Sequence, residues 1–196
     1  MRVIAGKYRS RLLRSLRGMD LRPTSDRLRE TLFDVLTAGN PGALEGTVWL
    51  DLFAGTGAVG IEALSRGAAM VYFLESSARA AQLIRANLLA LKVEGGFQIL
   101  MQDAVRGVCS LDTAGSVFDF VFLDPPYRLE EQYRRTLQAL ASSTLLRTGS
   151  MVIAEHQRKF DPGEELGSLH RFRKLEQGDA VLSFYRRVEA ESLGRC

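Results

Sequence analysis

Leu50-Asp51-Leu52-Phe53-Ala54-Gly55-Thr56-Gly57-Ala58-Val59-Gly60 is the stretch on which the fold turns. An apolar run carrying one acid gives way to closely spaced glycines and then to an amphipathic segment, which reads as strand, tight turn and helix. The glycines let the backbone approach a ligand where any Cβ would obstruct it. In open α/β sheets such ligands lie beyond the carboxyl ends of the strands, where the strand order reverses.

Working outward, short apolar runs alternate with amphipathic ones. Strands are predicted at 48–52, 71–75, 97–101, 118–123, 150–155, 171–176 and 181–187, and helices at 59–65, 77–91 and 129–142. The alternation implies a parallel sheet covered on both faces. Only Gln177-Gly178-Asp179-Ala180 separates the last two strands, too little for a parallel crossover, so they must form an antiparallel hairpin. The fold class is therefore α/β, Rossmann-like, with a seven-stranded sheet whose last strand is antiparallel.

Upstream, residues 2–5 and 9–13 read as a short hairpin turning near Gly6-Lys7. Pro23-Thr24-Ser25-Asp26 then starts a helix with Leu28, Leu32, Val35 and Leu36 at helical spacing, ended by Gly39-Asn40-Pro41-Gly42. The expected organisation is a basic hairpin extension over 1–20 and one principal domain over 21–190. Of the net charge of +3, residues 1–30 contribute +6 and the remainder −3. A basic arm on a mildly acidic body is the footprint of a protein that meets a polyanion at one end, and equally of a solvated charged face.

The 196 residues are 46% hydrophobic and 25% charged, enough for a self-sufficient core. The two cysteines, Cys109 and Cys196, show no disulfide or zinc-ligand spacing. No apolar run approaches the roughly 20 residues of a membrane helix, and the start lacks a secretion signal's apolar core. The sequence predicts a cytoplasmic protein.

The glycine loop also fits a dinucleotide fingerprint, and Glu75 stands where a ribose-binding acid belongs. Asp51 argues against a diphosphate close by and suits the ammonium and sulfonium of S-adenosylmethionine. Glu75 can accept hydrogen bonds from ribose hydroxyls of either nucleoside. Asp103, after the third strand, could hold adenine or simply cap a helix.

The sharpest feature is Phe118-Asp119-Phe120-Val121-Phe122-Leu123 running into Asp124-Pro125-Pro126-Tyr127. Two prolines fix their φ angles and remove two donors, leaving a stiff loop of acceptors. The Asp124 carboxylate and the Pro125 carbonyl can receive the two hydrogens of one amino group, and Tyr127 offers a face for stacking a base. Two acceptors favour a pyramidal amino nitrogen with its lone pair aimed at a methyl donor, and they stabilise the positive charge that develops there.

These residues, with Arg2-Val3-Ile4-Ala5-Gly6, the segment from Arg22-Pro23-Thr24 to Leu32-Phe33, and Gly178-Asp179, resemble the bacterial family of small-subunit (16S) ribosomal RNA guanine-N2 methyltransferases, in the class I methyltransferase superfamily. The resemblance implies S-adenosylmethionine as cofactor, contacted by Asp51, Phe53, Gly55, Gly57, Glu75, Asp103 and Ala104. It implies a flipped-out base held by Asp124, Pro125, Pro126 and Tyr127, and ribosomal RNA, in the small subunit or an assembly intermediate, met by Arg2, Lys7, Arg9, Arg11, Arg22 and Arg27. No metal is implied. Adenine N6 in RNA or DNA makes the same demand on Asp124 and Pro125, so the loop alone leaves it open. A non-catalytic RNA-binding assembly factor is the alternative of another class. His156 and His170 lack partners at catalytic or metal spacing and are expected in surface or loop roles, and Trp49 in the core.

Overall fold

The structure is a computed structural model that describes residues 1–15 and 25–188. Five parallel strands form its centre: β1 (Val48–Leu52), β2 (Met70–Leu74), β3 (Phe97–Leu100), β4 (Phe118–Leu123) and β5 (Leu146–Gln157). They are followed by β6 (Glu165–Leu166), β7 (Leu169–Gln177) and β8 (Ala180–Arg187). The order across the sheet is β3-β2-β1-β4-β5-β8-β7-β6, with β8 antiparallel to both β5 and β7. The expected hairpin is present, and the sheet has eight strands because the two-residue β6 extends its edge. Two residues carry too little pattern to be read as a strand in advance.

Helices α1 (Asp26–Thr37), α2 (Ala58–Ser65) and α3 (Ala78–Ala90) cover one face. That face holds Phe33, Trp49, Ile61, Ile84 and Phe122. Trp49 is fully buried, as expected, and lies between Phe33 and Phe120 with ring centroids at 5.5 and 4.7 Å. Each such pair adds about 0.5–1.5 kcal/mol beyond its buried area. The other face is covered by α4 (Ala104–Thr113) and α5 (Glu130–Ser142), which bring Val108, Leu111, Tyr133 and Leu137 onto Leu50 and Leu123.

No helix was expected over 104–113, although Ala104, Val108 and Leu111 recur at helical spacing. Gly107 disguises it. Its position exists for packing, since a Cβ there would stand 1.8 Å from Leu74 Cδ1. Helix α1 begins where expected, with Ser25 accepting from the Leu28 amide.

The N-terminal arm is looser than a hairpin of two strands. Its single bridge pairs Arg2 with Leu12, and turns occupy the middle. Amides of Val3, Ser10 and Leu13 donate to the Arg11, Val3 and Met1 carbonyls across it, and contacts with the body seat it. The buried Glu62 carboxylate of α2 accepts from the Ile4 and Ala5 amides at 2.7 and 2.9 Å, and Ser65 Oγ accepts from the Tyr8 amide. Gly6, at φ +79°, lies so close that a Cβ would fall 1.8 Å from the Ser65 carbonyl oxygen. Arg29 belongs to this joint and not to a solvated basic face: it is fully buried, donates to the Arg2 carbonyl and to Asp26, and lies 3.9 Å from Glu62. Among the described residues, no helix is long and apolar enough to cross a membrane.

Candidate active site

The strand order reverses between β1 and β4, and the residues singled out in the sequence leave the carboxyl ends of β1, β2, β3 and β4 around that point. Leu52 pairs with Leu123 across the two central strands, so the glycine loop and Asp124 start from neighbouring positions.

The glycine loop is a chain of left-handed residues. Gly55 and Gly57 have φ of 54° and 76°, and Phe53, which has a side chain, is held at 60°. Such a conformation costs a non-glycine residue on the order of 1 kcal/mol or more and persists only where its surroundings impose it. The Ala54 amide donates to the Leu74 carbonyl and the Gly57 amide to the Ala54 carbonyl, which folds the turn tightly before α2. Gly60, the third glycine, serves packing: a Cβ there would stand 2.3 Å from Phe73 Cε1.

Glu75 Oε2 accepts from the Gly55 amide and Oε1 from the Ser77 amide, both at 2.8 Å. The carboxylate thus braces the loop, and each oxygen keeps a second lone pair for a ribose hydroxyl. Asp51 is buried and accepts from the Gly60 amide at 2.9 Å. Burial, with the charge of Glu75 adding to it against that hydrogen bond, raises its pKa to about 8. Asp124 is driven well above the usual carboxylate range by burial first, then by the charges of Glu155 and Asp51. Neither Asp51 nor Asp124 has a cation among the groups that shift it. Both shifts come first from desolvation, which marks these two carboxyls as candidate functional groups, and among the described residues no cluster could hold a metal ion.

A pH dependence of stability follows. The Asp51 carboxyl is protonated in the fold up to about pH 8, whereas an unfolded chain ionises it near pH 4. Between those values the native state binds more protons, so its stability falls as pH rises. Asp51→Asn is therefore expected to gain on the parent as pH climbs from 4 to 9, reaching a Tm higher by at least about 2–4 °C, the equivalent of about 1 kcal/mol at this size. Melting curves of ligand-free protein across that range that run parallel would count against this.

At the end of β4, Pro125 is buried, Pro126 exposed and Tyr127 partly buried. The Tyr127 hydroxyl lies 3.0 Å from Glu155 Oε1, so its ring is anchored to β5. Sequence reasoning missed Tyr133 of α5, whose buried hydroxyl lies 3.0 Å from the Pro125 carbonyl and 2.9 Å from that of Glu155. Burial pushes its phenol further up, so it stays a donor and fixes the direction of the Pro125 carbonyl. A buried tyrosine needs such a partner, which was the available signal.

Asp103 is exposed and caps α4, with Oδ1 accepting from the Val105 and Arg106 amides, while Ala104 is buried as the first residue of that helix. Arg2, Lys7, Arg9, Arg11 and Arg27 are placed on the arm and on α1, all five exposed, and Arg22 lies outside the described residues. Arg11 donates to the Ala90 carbonyl, so part of its work is to hold the arm. The turn at Gly6 rests on Ser65, at the far end of α2 from the glycine loop. The ends of the arm come closer: buried Asn87 donates to the carbonyls of both Arg14 and Thr56, which holds exposed Arg14 beside that loop. His156 is fully buried within β5, its ring nitrogens against the Gln157 carbonyl and Ser183 Oγ. This corrects the surface role expected for it. His170 is exposed and paired with Glu165.

The fold and this arrangement at its reversal point define an α/β protein of the Rossmann-like class I methyltransferase type. The chain belongs to the family described as conserved hypothetical protein 95, whose model matches residues 1–186. It is 33% identical over 187 residues to YlbH of Bacillus subtilis (strain 168), spanning 95% of this chain and 99% of that one. It is 35% identical over 160 residues to ribosomal RNA small subunit methyltransferase D of Escherichia coli (strain K12), spanning 80% of this chain and 75% of the relative. The solved structure of a hypothetical protein from Thermus thermophilus superposes with a TM-score of 0.81 at 25% identity, over 96% of this chain and 99% of that one.

Proposed function

We propose that this chain transfers a methyl group from S-adenosylmethionine to the exocyclic N2 of a guanine in small-subunit (16S) ribosomal RNA. The reading is carried by the meeting of the Asp51–Glu75 glycine loop with Asp124-Pro125-Pro126-Tyr127 on adjacent central strands, where Leu52 pairs with Leu123. The relatives named for ribosomal RNA methylation support the substrate class.

The carboxyls fit the cofactor: buried Asp51 forms no salt bridge among the described residues, and Glu75 offers lone pairs to a ribose. When bound, S-adenosylmethionine supplies an electrophilic methyl group. Asp124 and the Pro125 carbonyl accept the two hydrogens of the target amino group and orient its lone pair. Tyr133 holds that carbonyl in place, Tyr127 stacks on the base, and Asp103 and Ala104 border the adenine side. The proton that the amino group gives up on alkylation passes to water.

The test is incubation of the protein with small ribosomal subunits and labelled S-adenosylmethionine, with the product mapped by mass. Label on guanine N2 is expected, whereas label on adenine or no transfer refutes the proposal. Arg9→Ala with Arg11→Ala is expected to weaken RNA binding and to lower the salt slope by about one to two, since each lost phosphate contact contributes nearly one. Unchanged affinity and slope would exclude the arm as an RNA contact.

A further inference from the structure

Strands β7 and β8 are out of step by one residue. Arg171 pairs with Tyr185 and Arg173 with Phe184, which leaves Phe172 as the extra residue of a bulge. A bulge re-aims side chains, and here two successive ones come to the same face. Arg173 lies opposite Phe184, which belongs to the core on the α1 face, and the Phe172 ring centroid is 6.3 Å from that of Phe184. Arg186, two residues beyond Phe184 on the same face, places its guanidinium carbon 4.2 Å from the Phe172 centroid.

Phe172 nevertheless remains 40% exposed. The other cations of these strands are engaged: Arg171 with Asp161 and Glu164, Lys174 with Asp161 and Glu176, and Arg187 with two carbonyls. Arg173 and Arg186 are exposed and have no acidic partner among the described residues. Two unneutralised arginines around an exposed aromatic ring are complementary to a polyanion that also carries flat bases. Bases stack on aromatic rings and on guanidinium planes alike.

We infer that Phe172, Arg173 and Arg186 form a second RNA contact, where an unpaired base stacks on the Phe172–Arg186 pair while Arg173 meets the adjoining phosphate. Arg186 pairs with Met151 and Met151 with Phe120, four residues before Asp124 on β4. The contact therefore lies about 13 Å from the Asp124 row along the strands, at about 3.3 Å per residue. Only a polynucleotide reaches both places.

The inference rests on the reading of the chain as an RNA methyltransferase, so wild-type activity is measured alongside. On deproteinised small-subunit rRNA, Phe172→Ala is expected to raise KM at least about fivefold with kcat within twofold, the lower end of what losing a base–aromatic stack does. Arg173→Ala with Arg186→Ala should lower the salt slope by about one, for the single phosphate that Arg173 meets. Arg186→Lys should keep that slope while losing affinity, because an ammonium cannot stack. Variants that match the wild type in KM and slope overturn the inference and leave the enzymatic reading intact. A defect seen only with intact subunits also overturns it, in favour of a ribosomal protein partner. A wild-type chain that methylates neither the RNA nor intact subunits sinks both.

Discussion

Asp124→Ala is expected to lower methyl transfer by about 10²- to 10³-fold or more, the scale on which losing one preorganised electrostatic contact to a transition state is felt. Cofactor affinity should stay within a few-fold, because the partner proposed for Asp124 is the amino group of the base. The rate and the affinity are separable by single-turnover kinetics and calorimetry. Asp124→Asn should recover part of the rate, since its side-chain carbonyl can still accept the one amino hydrogen that Pro125 does not. Near-normal turnover in Asp124→Ala would remove Asp124 from the chemistry. Parallel loss of cofactor binding would assign it to the ligand pocket shared with Asp51.

Glu62→Ala is expected to have the largest effect on stability. Glu62 receives two arm amides and the Arg66 guanidinium at 2.8 Å and faces the buried Arg29. Its removal strands two donors and a buried cation, and breaking a buried pair from one side costs about 3–5 kcal/mol. At about 2–4 °C per kcal/mol, the Tm should drop by roughly 10 °C. Glu62→Gln, which keeps an acceptor, should lose less. The arm should also come free, so trypsin cleavage after Lys7 and Arg9 should quicken well below the melting transition. A variant with unchanged Tm and cleavage pattern would show that the arm is held by its apolar residues Val3 and Leu13 alone.

The parts of the fold legible in the sequence are those governed by local rules. The apolar runs that became β1, β4 and β5, the Ser25 cap and the short β7–β8 connection needed no tertiary information. Helix α4 escaped because Gly107 weakens a helical reading, and its reason is Leu74, 33 positions earlier in the chain. Arg29 read as surface charge because nothing near it in sequence announces Glu62 as its partner. At the site, residue types and spacing pointed to Asp51, Glu75 and Asp124. The left-handed Phe53 and the Tyr133 hydroxyl beneath Pro125 are products of three-dimensional closure. His156 shows the opposite limit: the lack of a sequence partner says nothing about burial when Ser183 supplies one from a neighbouring strand.

The seating of the arm has a consequence for biosynthesis. Residues 1–15 leave the translating ribosome well before the groups that receive them, which lie 57 to 79 positions downstream, at Glu62, Ser65, Asn87 and Ala90. Such distant pairings exact their loop-closure entropy before returning any contact, so they form late. The nascent chain must therefore carry a cationic, undocked arm until α3 has emerged, so the arm is seated only after the helices that hold it have formed.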